Sequence, residues 1–204
     1  TAAIDIPAKV DGSTVYGIDA TYPGMVYAKP MMPPTRHGSV VKSVDDSAAK
    51  AVAGYQQTLV LDDPSDTVPG WALVIADSYH AAMRAARVVK IDWQAGPGAD
   101  VSEADLLQRG AELLAGDTGS LVVDNEHVDH MFEAADSVLE ASYVTNTVLH
   151  FQLEPVNAIG LQRDGRWELH TGNQWQSLIL PTLGQALGVA PVSYTHLRAH
   201  ETSD

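Results

Sequence analysis

The 204-residue chain carries 12 Lys and Arg against 26 Asp and Glu, a formal charge of -14, which excludes a protein that tracks phosphates by replacing condensed counterions with basic side chains, so nucleic acid is not an expected partner. It contains no cysteine, which excludes disulfides, thiolate zinc sites, a cysteine nucleophile and iron-sulfur clusters ligated within it. Hydrophobic residues make up 45% and are spread along the chain, with no apolar run of about 18 residues, so neither wholesale disorder nor a membrane span is expected.

The first residues show neither a basic n-region nor an apolar h-region, so no export signal is visible and the compartment stays open. Ile4 to Pro7 reads as a short extended opening. Lys9 to Asp19 (KVDGSTVYGID) follows, with Gly12 and Gly17 marking a turn and a strand. Tyr22 to Gly24 is a second turn. Met25 to Lys29 reads as a strand that the Pro30 to Pro34 stretch ends, because proline cannot donate to a ladder, and Ser39 to Val44 as another. Asp45 to Gly54 has helix-start residues, alanine filling and a glycine stop, which predicts a helix of about two turns. Gln57 to Leu61 is extended. Trp71 to Ala76 is apolar throughout and suits a strand covered on both faces; Asp77 or Ser78 then caps an alanine-rich helix to Arg87, and Val88 to Trp93 closes a strand-helix-strand unit.

The short Gly/Pro-rich stretch from Gln94 to Asp100 (QAGPGAD) is the best boundary between two domains. Beyond it, Ser102 to Asp105 is a capping-box variant ahead of Leu106, Leu107, Leu113 and Leu114, predicting an amphipathic helix to about Ala115. Ser137 to Tyr143, Asn157 to Arg163 and Arg166 to His170 alternate as strands, with a hairpin turn at Asp164-Gly165 between the last two. Gln176 to Leu187 reads as a helix stopped by Gly188, with Pro181 implying a kink or a later start. Mixed strands and short helices in this order favour α+β or α/β over an all-β sandwich. Ser193 to Asp204 breaks the pattern and resembles a non-native tail, so it is left outside the fold.

Three places could carry chemistry. Glu126 to His130 sets two histidines three apart between carboxylates, but third and fourth ligands are not evident, so a solvated acidic helix start is the better reading. His196 and His200 have zinc-helix spacing, yet they lie in the tail and are assigned nothing. In His150 to Pro155 (HFQLEP), Glu154 stands amid apolar residues and is costly to bury unpaired. It is either a structural carboxylate or the wall of a site. Thr171 to Trp175 (TGNQW) lies between a strand and a helix, where backbone N–H groups and side chains can converge on a ligand. The Gln174 amide is a neutral donor suited to an oxo or phosphate oxygen, and a polar turn is the alternative. There is no Gly-x-Ser-x-Gly elbow, Walker loop, His-Glu-x-x-His or Gly-x-Gly-x-x-Gly, which leaves hydrolase, NTPase and dinucleotide readings without a motif.

Lys9 to Asp19 with Tyr22 to Ala28 (YPGMVYA) resembles the opening of the a/b hammerhead domain of molybdenum hydroxylase large subunits, and Trp71 to Trp93 resembles its closing strand-helix-strand. Ala135 to Tyr143 (ADSVLEASY), the His150, Leu153, Glu154 and Pro155 pattern, and Gln174 ahead of Ala186-Leu187-Gly188 resemble the start of the molybdopterin-binding domain. The order and spacing agree over residues 5–192. The resemblance is to the xanthine dehydrogenase/aldehyde oxidase family, in the flavour of isoquinoline 1-oxidoreductase beta subunits and membrane-associated aldehyde dehydrogenases. It implies an α+β fold, with a hammerhead domain at 5–94, the N-terminal part of a molybdopterin-binding domain at 100–192, and 193–204 foreign.

The same resemblance implies a molybdopterin-dependent oxidoreductase that hydroxylates an aldehyde or a small aromatic N-heterocycle with oxygen from water. Molybdenum would be held by the pterin, in its cytosine dinucleotide form, rather than by a protein ligand. Electrons would pass to two-iron two-sulfur clusters on a partner subunit and on to a cytochrome acceptor. Gln174 matches the glutamine that hydrogen-bonds an oxo ligand of the metal, with Asn173 and Gly172 beside it as cofactor-binding residues, and His150 and Glu154 match supporting framework. The family's later glycine-rich segment and catalytic glutamate have no counterpart here, so no catalytic residue is assigned within the chain and no turnover is expected from it alone. The resemblance favours a periplasmic or membrane-associated location. A non-catalytic binding or assembly module that keeps the hammerhead is the rival reading.

Overall fold

The computed structural model describes residues 6–62, 67–116, 119–120, 122–123, 128–146, 148, 155–172, 176–189 and 194–198. By internal contacts the chain falls into two compact units, Thr1–Ala99 with Phe151–Asp204, and Asp100–His150. The mixed helices and strands are α+β, as expected.

The first unit is built on β4 (Ala72–Ala76), the central strand of an antiparallel sheet in which it lies between β1 (Tyr27–Met31) and β3 (Tyr55–Val60). A strand paired on both edges and covered on a face reads as a continuous apolar run, and Ala72, Val74, Ile75 and Ala76 are all buried. Above it lies α2 (Tyr79–Ala86), started by Ser78, whose hydroxyl accepts the Ala81 N–H at 3.2 Å. The helix buries Ala81, Ala82 and Ala85, whose small side chains let it lie close to the sheet. The core gathers Val74, Ala85 and Val89 with Ala49, flanked by Met31, Val44, Val52 and Ile91.

Four expectations here need correction. Ile6 and Pro7, expected to end an extended opening, instead begin α1 (Ile6–Asp11), and Gly17–Asp19 is a 3-10 turn instead of a strand. β1 runs through Pro30 to Met31, because it is an edge strand and one of its sides needs no donor. Asp45 to Gly54 makes only a 3-10 turn at Ala49–Ala51, since it must drop Ala49 into the core and then reach β3. Tyr55 closes this corner: its hydroxyl donates to Asp46 Oδ2 at 2.6 Å and sits 2.9 Å from Thr58 Oγ1. Burial and the Asp46 bond raise the Tyr55 phenol, while that bond and the Lys50 ammonium lower the Asp46 carboxyl. The strand-helix-strand order read from the sequence is present, and its closing strand β5 (Lys90–Gln94) pairs antiparallel with β2 (Val40–Asp45), with a bulge between Val41 and Ser43.

A polar corner ties the β1–β2 connection to the end of β5. Ser39 is buried, its Oγ bonded to Thr35 O at 2.8 Å and lying 2.7 Å from Thr35 Oγ1, which also accepts the Gly96 N–H at 2.8 Å. Trp93 Nε1 donates to Gly70 O at 2.8 Å.

In the second unit, α3 (Glu103–Ala115) has the predicted box: Ser102 Oγ accepts the Asp105 N–H at 3.3 Å, and Asp105 Oδ2 accepts the Ser102 N–H at 2.8 Å. The Ser102 hydroxyl, donating to Asp105 Oδ2 at 2.6 Å, and after it the Ser102 N–H hold the Asp105 carboxyl below its ordinary range. A short α4 (Val128–Glu133) follows, and the strand expected at Ser137 to Tyr143 is absent, the segment being exposed and unpaired with any strand.

Candidate functional site

Residues 155–189 carry the described part of the expected site. β6 (Ala158–Arg163) and β7 (Arg166–Thr171) form the predicted hairpin, with Asp164 at φ 50° and Gly165 at φ 73°. Two consecutive positive φ values match the right-handed twist of the strands, which is why an Asp-Gly pair stands there. The two-residue turn sets the register Arg163↔Arg166 through Ala158↔Thr171. Helix α5 (Gln176–Leu187) follows β7, retains Pro181 inside it, and ends at Gly188 with φ 63°.

Tyr194–Arg198 form β8, parallel to β7, although the sequence left this segment outside the fold. The second edge of β7 otherwise exposes a row of backbone donors and acceptors, and an alternating β-prone segment such as YTHLR can satisfy them.

One face of the hairpin carries Arg163, Glu168 and His170 beside Ile159 and Leu161. Glu168 is largely buried, with Arg163 at 3.5 Å and His170 Nε2 at 3.9 Å, and the Tyr22 ring lies tilted at 5.7 Å from the His170 ring. His170 Nε2 makes no hydrogen bond among the described residues. At the open end, Thr171 Oγ1 donates to Asn157 O at 2.9 Å and Asn157 Nδ2 donates to Pro155 O at 2.9 Å. The sequence pattern assigned no role of their own to the Thr171 hydroxyl or to Asn157, although the two-residue turn alone brings the start of β6 and the end of β7 together.

Of the sequence-predicted site residues, Gly172 is described: it leaves β7 in the open and is exposed. Asn173, Gln174, His150 and Glu154 lie outside the described residues, as does His127. His130 is in α4, and no group of three or more His, Cys, Asp or Glu that could hold a metal occurs among the described residues. Pro155 precedes β6 and Gly172 follows β7, so these two residues flank the same end of the hairpin.

No family model matches the chain. It is 49% identical, over 97% of its length, to a membrane-bound aldehyde dehydrogenase (pyrroloquinoline-quinone) of Gluconacetobacter polyoxogenes, of which it covers 26%. It is 32% identical to the isoquinoline 1-oxidoreductase subunit beta of Brevundimonas diminuta, over 94% of the chain and 25% of the relative. To the xanthine dehydrogenase molybdenum-binding subunit of Escherichia coli O157:H7 it is 26% identical, over 91% of the chain and 29% of the relative. In structure it matches the aldehyde oxidoreductase of Desulfovibrio gigas with a TM-score of 0.70 and 20% identity, over 96% of this chain and 26% of the other. Its relatives are thus named as an aldehyde dehydrogenase, an isoquinoline oxidoreductase subunit and a xanthine dehydrogenase molybdenum-binding subunit, each matched over 91% or more of this chain. The chain spans about a quarter of the length of the first two of these curated relatives.

Proposed function

We propose that the chain is part of the cofactor-binding subunit of a molybdenum hydroxylase that oxidises aldehydes with oxygen taken from water. The observation that carries this reading is the 49% identity, sustained over 97% of the chain, to a protein named an aldehyde dehydrogenase. N-heterocycle oxidation is the neighbouring reading, favoured by the isoquinoline oxidoreductase likeness. Nothing favours a non-catalytic module. Residues 5–94 would be the hammerhead domain and 100–192 the opening of the molybdopterin-binding domain, with 193–204 foreign to it.

The residues present suit a pterin-held molybdenum in kind. Gly172 is exposed where the sheet ends, and it is followed by two neutral amides, Asn173 and Gln174, that can donate without altering the charge of the site. Gln174 would donate to an oxo ligand of the metal, Asn173 and the Gly172 backbone would hold the cofactor beside it, and His150 and Glu154 would frame the site. When bound, the group, in its cytosine dinucleotide form, supplies the two-electron oxidation, and iron-sulfur clusters on a partner subunit take the electrons towards a cytochrome. A periplasmic or membrane-associated location accompanies this reading, although no helix among the described residues is long and apolar enough to cross a membrane. Nucleic acid has no part in it.

Pyrroloquinoline quinone is the second cofactor reading, because the 49% identical relative carries it in its name. The activity reading is tested by expressing the full-length subunit with its iron-sulfur partner and assaying aldehydes and N-heterocycles beside Gln174→Ala. Removing a donor aimed at charge that develops in the reaction lowers kcat by about a hundredfold or more. Unchanged turnover in the variant would remove Gln174 from the site, and an absence of oxidation of either substrate class would remove the hydroxylase reading.

A further inference from the structure

We infer that the apolar side of α3 and the unpaired segment from Ser137 to Tyr143 form a docking surface whose occupant is polypeptide of the same subunit lying outside residues 1–204. This rests on the reading above that the chain is part of a longer subunit.

In α3, Leu106, Leu107, Leu113 and Leu114 recur at the spacing that sets them on one side of a helix, and all four are exposed, Leu114 to 90%. Gly110 falls in the middle of that side, and nothing lies within 4 Å of where its Cβ would stand. A glycine inside a helix weakens it, and close approach of a packed neighbour is what offsets the loss. The segment from Ser137 to Tyr143 has a matching deficit. Its alternation assigns Leu139, Ala141 and Tyr143 to one face of a strand, yet among the described residues it pairs with no strand, and Leu139 is 94% exposed. An uncovered helix side and an unpaired strand pattern within one unit are what a core cut in half shows.

Charge narrows the choice of occupant. Residues 100–150 hold 11 Asp and Glu against one Arg, which is -10 of the chain's -14. Helices that lie in a bilayer surface carry Lys and Arg on their polar side, whereas α3 carries Asp105 and Glu112 there, with Arg109 held 3.2 Å from Glu112. A second copy would set like charge against like. The occupant that fits is a protein surface, apolar at its centre and edged with Lys and Arg. Length then favours the same subunit. The chain covers 26% and 25% of two relatives while matching nearly all of itself, so most of the subunit of which it is read as a part is tethered to this surface at high effective concentration.

The test uses the full-length subunit in its native complex, with a photo-crosslinking amino acid in place of Leu114 or of Tyr143. Isotope-labelled and unlabelled copies are mixed so that crosslinks between copies are recognised. Both positions are expected to react with peptides of the same copy outside residues 1–204. Either position reacting instead with a second copy, a partner subunit or lipid, or with nothing, overturns the proposal. Joint replacement Leu106→Gln and Leu113→Gln should lower the yield of soluble subunit several-fold, while Gln108→Ala, on the opposite side of α3, should leave it unchanged. Equal yields from the two also overturn it. A full-length subunit no longer than this chain would sink the reading of the chain as a part. A molybdenum-free complex that gives the expected crosslinks would sink the cofactor reading and leave the docking surface standing.

Discussion

Replacing Gly96 by alanine should be among the costliest single-methyl additions in this chain. A Cβ at Gly96 would overlap the His37 carbonyl oxygen, and because both partners are backbone no rotamer change can relieve the clash. The same two stretches are already close at Gly38, where a Cβ would lie 2.9 Å from Pro97 Cδ, so there is little room to slide. Moving the 96–97 backbone away withdraws the Gly96 N–H from Thr35 Oγ1, a 2.8 Å bond, and loosens the 2.7 Å approach of Thr35 Oγ1 to Ser39 Oγ, whose residue is 1% exposed. One lost hydrogen bond costs about 1 kcal/mol and a buried polar atom left unpaired about 1–3 kcal/mol, which together give about 2–4 kcal/mol. That is a large share of the roughly 5–15 kcal/mol by which a folded domain is stable. Urea unfolding followed by tryptophan fluorescence would read it as a midpoint lower by about 1–2 M at ordinary m-values. Gly98→Ala is the control, since nothing lies within 4 Å of a Cβ there, and it should stay within about 0.5 kcal/mol of wild type. A Gly96→Ala chain as stable as Gly98→Ala would refute the packing of this corner.

Two further outcomes follow from the first unit. Val74 is fully buried on the central strand, so Val74→Ala should destabilise by about 1.5–3 kcal/mol in the same unfolding assay, through lost burial plus the cavity left behind. The Asp46 carboxyl is held below the ordinary carboxylate range, first by the Tyr55 hydroxyl and then by Lys50. A lowered folded pKa gives stabilisation that is complete above the unfolded pKa and lost as pH falls through the folded one. The stability gap between wild type and Asp46→Asn should therefore be constant above about pH 5 and close below about pH 4, as read by midpoints across that range; a gap that widens towards acid would contradict the pairing.

Local signals in the sequence carried furthest where the chemistry is itself local. Ser78, the Ser102/Asp105 box, the Asp164-Gly165 turn and the Gly188 stop each satisfy orphan backbone groups within a few residues, and each is found where the residues placed it. Elements whose form depends on a distant partner were less legible. Pro30 is tolerated because β1 turned out to be an edge, the alanines before Gly54 are drawn into a core rather than a helix, and β5 pairs with β2 because sheet order is a tertiary choice. Ser137 to Tyr143 alternates correctly but has no partner strand, and alternation alone does not make a ladder. The hairpin that leads to Gly172 was readable from its Asp164-Gly165 turn. The polar tie between Thr171 and Asn157 follows only from carrying the turn's register to the far end of the strands.

The central claim is that this chain helps hold a molybdenum cofactor, and cofactor analysis of the full-length subunit, purified in its native complex, tests it most directly. Molybdenum and pterin in stoichiometric amount, without pyrroloquinoline quinone, is the result predicted; stoichiometric quinone in a complex free of molybdenum would contradict it.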